Sequence, residues 1–474
     1  MKPRIGFWVA VFLLSFSATA AAGGTFSRAT IARLAALPPA HALIVTGFPA
    51  GPNHSATVRF ERAEIYAPGA HLYVIGANGK QEVPRSNLIF LRGYTDDGSA
   101  RVALAFNPDG SFVSGSGDGP EGSFVLRSRA GSESIEFSAL SRESALPKGV
   151  KLDFQCGNDK ADLHATSVND PARQLKIASS RSAVAAAATS HALRFATIAV
   201  DTDSAFMSNL FSNNTTSAGN WIANMINVMN LMYERDVLVQ LQLGTTIYRT
   251  TATDPYASGT YAATNVPADG NDLNNFGSYW QANYSTPGPN YITRSFAVLL
   301  SGLGPCSGNS CSASGIAWIN SYCQNASLGG SYAVVQVFSN ITFDPDGSGA
   351  AGLYDHELGH NFGADHTHCT DATTGQYAVA TNTIDICYNG ESTPPPNGPG
   401  CYGGATTSCP ASGAGSIMSY CNIAGCGQNT RAFSPIQISA VAPYGVVADS
   451  NAAPVGCLNT TDDIFYDGFE QPGG

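Results

Sequence analysis

The sequence predicts an α/β (α+β) domain preceded by a mostly β region, and three observations carry that expectation. Residues 40–140 hold short apolar runs such as "ALIVTGF", "ATVRFERAEIYA" and "HLYVIGANGKQEV", punctuated by the D-G and N-G pairs that mark hairpins. Residues 157–192 then lose aromatics and periodicity and read as an exposed connector. From Leu193 onward strand-like runs alternate with helical spacing, the pattern of an α/β domain rather than an all-β one.

Taken in order, the chain opens with "MKPRIGFWVAVFLLSFSATAAAGG", in which Lys2 and Arg4 precede an apolar run from Ile5 to Phe16 and small residues ending at Ala20 or Ala22. This is the layout of a secretory signal peptide over residues 1–22. A membrane anchor is the alternative, but the run is shorter than the roughly 20 residues that span a bilayer. Residues 23–190 form the β-rich region and its connector. Residues 191–448 form the second domain, and 449–474 a tail.

Within the second domain "LRFATIAVDTD" reads as a strand, followed by a helix from Ser204 to Tyr233 on the spacing of Phe206, Leu210, Ile222, Met225, Ile226, Met229 and Met232. Asp203 or Ser204 would cap it. Next come a strand in "VLVQLQLGTTIYRT", a helix near Leu273 to Tyr284, and strands in "SFAVLLSG" and "YAVVQVF". "ESTPPPNGPG", 391–400, reads as a loop between cysteines, and "NTTDDIFYDGFEQPGG" as a tail that is disordered or read by a sorting system.

Only 12% of residues are charged and Gly numbers 50, against about 25% charged in an average globular chain. That composition suits a loop-rich exported protein. The formal net charge is -11, from 24 Lys+Arg and 35 Asp+Glu, with no basic run. Neither a nucleic acid nor an anionic membrane is therefore an expected partner. Eleven cysteines in an exported chain imply disulfides. Ten of them (Cys306, Cys311, Cys323, Cys369, Cys387, Cys401, Cys409, Cys421, Cys426 and Cys457) could close five bridges, while Cys156 stands far upstream of the rest.

Four of the nine histidines fall within "HELGHNFGADHTH", 356–368. On a helix His356 and His360 are about 400° and roughly 6 Å apart, so both imidazoles leave one face. Glu357 is turned by about 100° from His356, close to the point where two ligands aim without lying in line with it. Were the helix to continue, His366 would lie roughly 9 Å beyond His360 and about 240° around the axis. Gly363 lies midway and can take the left-handed conformation that ends a helix and returns the chain. Two ligands on a helix, a glycine stop and a third ligand on the returning segment leave a fourth position open, as a catalytic zinc site requires. The two-histidine motif alone is weakly specific, whereas the eleven-residue form is highly so. Surface histidines on a polar helix are the bland alternative. His368 has no place in the motif and is expected to face solvent.

At these residues the chain resembles the metzincin metalloproteases. "GSIMSYC", 415–421, is similar to their Met-turn, with Met418 beneath the metal, and "GIAWINSYC", 315–323, resembles the substrate-aligning segment of the adamalysin or reprolysin branch. The resemblance covers residues 193–445 and is greatest to bacterial reprolysin-like enzymes. It implies a metzincin-type catalytic domain with a twisted mixed sheet and an active-site helix. It also implies one catalytic Zn2+ on His356, His360 and His366, with Glu357 taking the proton of the attacking water and passing it to the leaving amine. The implied activity is that of a zinc endopeptidase acting on protein or peptide, bound along an edge strand near Gly315 to Ile319.

Two departures leave the branch open. Thr367 follows the third histidine where adamalysins carry Asp, and Tyr420 stands where they carry proline. Met418-Ser419-Tyr420 is instead similar to astacins and serralysins, where the tyrosine ligates the metal and then stabilises the transition state; packing beneath the site is the alternative. "DFQCGND", 153–159, resembles the cysteine switch of metzincin zymogens, which makes residues 23–190 a prodomain and Cys156 an inhibitory ligand in the open position. Cleavage in the connector would then release the mature domain. A bridge from Cys156 to Cys457 or to another chain is the competing reading.

"DPDGSG", 344–349, echoes the start of a calcium loop but lacks its later ligands, so a turn is expected there; Asp201 and Asp203 could help bind a structural cation, though helix capping is the simpler role, and Ca2+ rests on these two cues. The expectation is a secreted monomer, extracellular or periplasmic, off the membrane once the signal is removed. A rival from another class is a metal-stabilised adhesion or binding module without catalysis, against which Glu357 argues, since a structural site has no use for it.

Overall fold

A computed structural model describes residues 23–131, 134–141, 154–160, 193–257, 259–262, 268–286, 288–303, 313–321, 324–337, 347–375, 382–391, 401–427, 429–438 and 458–460. The signal peptide, the connector past residue 160, residues 344–346 of "DPDGSG", the tail past residue 460, and Cys306, Cys311, Cys323 and Cys457 lie outside the described residues.

The first region supplies β1 (Gly23–Ser27), α1 (Arg28–Ala35), β2 (Ala42–Gly51), β3 (His54–Arg62), β4 (Leu72–Gly76), β5 (Gly79–Val83), β6 (Ile89–Tyr94), β7 (Arg101–Phe106), β8 (Phe112–Gly119), β9 (Gly122–Ala130), β10 (Ser134–Ser141) and β11 (Phe154–Cys156). The D-G pairs turn as their chemistry requires. Asp97 and Asp109 accept hydrogen bonds from the backbone N–H of Ser99 and Ser111, and Gly98 and Gly110 take positive φ. Eight strands make an antiparallel sheet in the order β1-β10-β9-β8-β7-β6-β3-β2. It curls until β1 and β10 meet β2, around a core that includes Phe26, Phe48, Phe60, Phe106 and Phe137.

The second region supplies β12 (Arg194–Thr202), α2 (Ser204–Phe211), α3 (Thr215–Asp236), β13 (Val239–Arg249), α4 (Gly270–Tyr284), β14 (Phe296–Ser301), β15 (Ala313–Ala317), β16 (Tyr332–Gln336), α5 (Ser348–Asn361) and β17 (Leu458–Thr460). Its sheet runs β11-β15-β16-β14-β12-β13-β4-β5. The strands β13, β12, β14 and β16 are parallel, and β15 is antiparallel to β16, so the sheet is mixed as expected.

Three features depart from the sequence reading. The helix expected from Ser204 to Tyr233 is two helices, because Ser212 and Asn213 take left-handed φ and Asn214 caps α3 by accepting from the N–H of Ser217. The periodicity of Phe206 to Met232 hides that break, since both helices face one core. The hairpin β4–β5 leaves the β-rich region and joins the sheet of the second one, with Leu72 to Ile75 in register with Thr246 to Arg249. Asn459 and Thr460, expected in a disordered tail, lie in β17, which pairs antiparallel with β12. Asp203 does cap α2, accepting from the N–H of Phe206. Among the described residues, no helix is long and apolar enough to cross a membrane.

Candidate active site

Helix α5 is buried along its whole length, and it presents His356 and His360 from one face with ring centroids 4.8 Å apart. It ends as the glycine predicts. Gly363 has φ +101°, its N–H reaches the carbonyl of His360 at 2.8 Å, and the N–H of Ala364 reaches Gly359 O at 3.0 Å. The returning segment carries His366 back to ring-centroid distances of 5.2 Å from His356 and 4.8 Å from His360.

The Nδ1 atom of each imidazole is engaged. His356 Nδ1 is 2.8 Å from Ile417 O, His360 Nδ1 is 2.7 Å from Ala364 O, and His366 Nδ1 is 2.8 Å from Glu391 Oε2. Backbone carbonyls and a carboxylate are acceptors, so the proton of each ring lies on Nδ1 and the Nε2 lone pairs are directed inward. The Nε2 atoms of His356 and His366 stand 3.2 Å apart. Burial first, and the charge of His366 second, lower His356 to about 3, and the same causes, with His356 added, hold His360 well below the usual imidazole range. Burial therefore favours neutral His356 and His360, the state in which imidazole ligates metal.

Sequence reasoning missed Glu391 and misplaced His368. His368 is completely buried rather than solvent-facing, stacked on His366 with ring centroids 5.4 Å apart. Its Nε2 lies 2.7 Å from the same Glu391 oxygen that His366 meets. Burial pushes the Glu391 carboxyl up, but the charges and hydrogen bonds of His366 and His368 outweigh it and hold the group well below the usual range. No motif in the sequence marks it; the Cys369–Cys401 disulfide, a pairing the sequence leaves open, closes the segment that contains it against the third histidine.

Thr367, where a carboxylate was expected from the resemblance, hydrogen-bonds Asp385 through Oγ1, and its N–H reaches Met418 O at 3.0 Å. Ser419 Oγ reaches the same Asp385 oxygen at 2.9 Å. Asp385, eighteen residues on, thus ties the third-histidine loop to the turn at Met418. The Cys387–Cys421 disulfide spans the same junction, and Cys409–Cys426 closes the adjoining loop. Met418 lies under α5 so closely that a Cβ on Gly359 would fall 2.6 Å from its sulfur.

Glu357 faces β15. A Cβ on Gly315 would come within 2.4 Å of Glu357 Oε1, so that strand needs glycine there for the carboxylate to fit. The carboxylate is fully buried, Oε1 has no hydrogen-bond partner, and burial raises its pKa well above the ordinary value although the Cys156 thiol opposes this. Cys156 reaches the centre on β11, which pairs parallel with β15 in the register Cys156↔Gly315. Its sulfur lies 3.5 Å from both Glu357 Oε2 and His360 Nε2. Tyr420, also fully buried, places its hydroxyl 3.0 Å from Cys156 O and 3.2 Å from Cys156 N. Where β11 ends, the Asn158 side chain continues the pairing: Nδ2 donates to Ala317 O at 2.9 Å and Oδ1 accepts from Ala317 N at 3.2 Å.

The donors fit a zinc ion. One ligand atom each from Cys156, His356, His360 and His366 lie within 4.8 Å of one another, and three neutral imidazoles plus one sulfur are a zinc donor set. Inward lone pairs facing each other would repel without a cation between them. A second grouping of His366, His368, Cys369 and Glu391 is a weaker candidate, because Cys369 is committed to a disulfide.

Residues 192–434, just over half of the chain, match the family described as "Reprolysin_5: Metallo-peptidase family M12", and the chain belongs to that family. That family is one of metallopeptidases, typically zinc-dependent and acting on proteins or peptides. No curated protein matches the chain. The chain is also similar to a solved structure described as "Structure of a chaperone-substrate complex", at 14% identity and a TM-score of 0.23, over 52% of this chain and 35% of that one. The chain spans about a third of that structure's length, and the likeness carries no argument.

Proposed function

We propose that the protein is a secreted zinc endopeptidase made in a latent form, with Glu357 as general base and residues 154–160 as the inhibitor of its own site. The observation that carries this reading is the convergence of three Nε2 atoms beside an unpartnered carboxylate oxygen, with a thiol inserted among them. His356, His360 and His366 would hold the ion. When bound, zinc would acidify water to a pKa of about 7 and polarise the scissile carbonyl.

The chain's own residues do the rest. Substrate lies extended against β15, using the Ala317 N–H and C=O that Asn158 now engages. Glu357 takes the proton of the attacking water on Oε1 or Oε2 and returns it to the leaving amine. Its burial and the approach allowed by Gly315 keep it close to the substrate strand. The Tyr420 hydroxyl, which meets the backbone N–H and C=O of Cys156, would donate to a substrate carbonyl. In the precursor those backbone groups belong to the chain itself, and the Cys156 thiol would fill the fourth ligand position.

Export agrees with the signal-like leader and the three disulfides. The experiment is hydrolysis of a quenched fluorescent peptide library by the matured protein and its Glu357→Ala variant. Loss of general-base catalysis predicts a fall of roughly 10²–10⁴-fold; equal rates would refute the assignment.

A further inference from the structure

We infer that residues 23–141 are a permanent part of the enzyme, and that only the short segment around 154–160 is the removable inhibitor. The second half of this statement rests on the latency proposed above; the first half does not.

The N-terminal module is built into the second region's sheet. β4 pairs with β13, and further main-chain bonds run from Leu243 N to Ile65 O (2.7 Å), Ala67 N to Leu243 O (3.0 Å), Thr246 N to His71 O (2.9 Å) and Thr250 N to Ile75 O (3.1 Å). Ile65, Leu72, Leu88 and Phe90 lie in one continuous core with Val228, Leu231, Met232, Leu241 and Leu243. Helix α3 is buried on nearly every side because β13 covers one face and β6, β7 and β8 another. Between them Asn227 Nδ2 donates to Leu104 O at 3.2 Å, and Arg92 forms an ion pair with Glu234, both side chains largely buried.

Release of the module would strip the β13 edge of its partner and expose one side of an apolar helix. Such surfaces cause aggregation when uncovered. The Arg431 guanidinium links the module to the active-site helix. It lies 3.8 Å from Asp118 on β8 and 3.3 Å from Asp355, the neighbour of His356, and donates to Ser348 O at 3.2 Å.

The substrate edge lies elsewhere. β15 and the β4–β5 hairpin are at opposite ends of the sheet order, so a docked module leaves the centre uncovered. Residues 154–160, in contrast, engage that edge through three paired residues, the Asn158 amide and the Tyr420 hydroxyl. A single cut between 161 and 192 leaves Cys156 attached to the module. Opening the site takes a second cut, between 142 and 153.

The test inserts recognition sites for two different sequence-specific proteases, one in each of those intervals, and follows the fragments by size exclusion under native conditions. After the first cut the account expects one peak containing both chains and no gain in peptide hydrolysis. After the second, the 23–141 fragment still co-elutes while hydrolysis rises at least tenfold. Separation of the N-terminal fragment from a monodisperse, folded and active remainder overturns the inference. Co-elution with full activity after the first cut upholds retention and refutes inhibition by Cys156, so the two readings fail separately.

Discussion

The Nε2 atoms of His356 and His366 face one another at 3.2 Å, each on a ring whose Nδ1 is already spoken for by Ile417 O or Glu391. Two Nε2 atoms held this close in a buried site share either a proton or a metal ion, and the third imidazole and the thiol beside them fit a metal ion. Removal of metal by a chelator is therefore expected to lower the melting temperature, and stoichiometric zinc to restore it. A ligand at 1,000 times its dissociation constant stabilises by about 4 kcal/mol. A melting curve indifferent to chelator would contradict this.

Glu391 Oε2 meets His366 Nδ1, across the ring from the inward-facing Nε2, and also His368 Nε2. Replacing a carboxylate behind a metal-binding histidine costs roughly 10–100-fold in metal affinity. Glu391→Ala is expected in that range, read by competition with a chromophoric chelator. Affinity equal to the parent's would show that His366 needs no such support.

Acid should destabilise the metal-free precursor. His356 is lowered to about 3 in the folded chain, and His360 is also depressed, against about 6.5 when unfolded. From about 6.5 down to about 3, the unfolded chain binds protons that the folded site refuses, so stability falls with pH. Glu391 works in the same direction, since its depressed carboxyl stabilises the fold above its unfolded value and loses that contribution on acidification. Glu357 runs the other way, its raised carboxyl costing stability as pH rises. The imidazole share is isolated by difference: from about pH 7 to about pH 4 the melting temperature of the parent should fall more than that of a His356→Ala/His360→Ala variant, and an equal fall would contradict the assignment of neutral His356 and His360.

Two glycines around α5 are constrained for different reasons. A methyl on Gly359 would collide with Met418, and overpacking of this kind costs typically 1–3 kcal/mol, roughly. A Cβ on Gly363 would meet Asn320 only at ordinary contact distance, 3.5 Å, but its φ is +101°, and a left-handed residue other than glycine costs roughly 1–2 kcal/mol. Gly359→Ala and Gly363→Ala should both lower the denaturation midpoint. Replacing Met418 with a smaller residue, Met418→Ala, should rescue only the first.

Asn158 separates the anchoring of the inhibitory segment from its thiol. Asn158→Ala keeps Cys156 but removes both bonds to Ala317, and Cys156→Ser keeps the anchor but removes the sulfur. Each precursor should hydrolyse peptide faster than the parent, Cys156→Ser the more. Unchanged precursor activity in both would remove latency from the account.

Much of the site was legible because its chemistry is local. His356, His360, Glu357 and Gly363 follow from helical geometry, and β12, β13, β14 and β16 follow from apolar runs, whereas β15 was legible only through the resemblance. Glu391, Asp385 and the burial of His368 were not, since loops closed by disulfides bring them in from eighteen to twenty-five residues away without any periodicity. The same limit hid the β4–β5 hairpin: its alternation announces a strand pair but not which sheet it joins. The break at Ser212 to Asn214 was lost because two helices on one core keep a common spacing.

The most direct test is elemental analysis of the purified, correctly disulfide-bonded protein beside its His356→Ala/His360→Ala variant. The account predicts one zinc per parent chain and none in the variant. A parent free of transition metal under non-chelating conditions, or a variant that keeps its zinc, would contradict it.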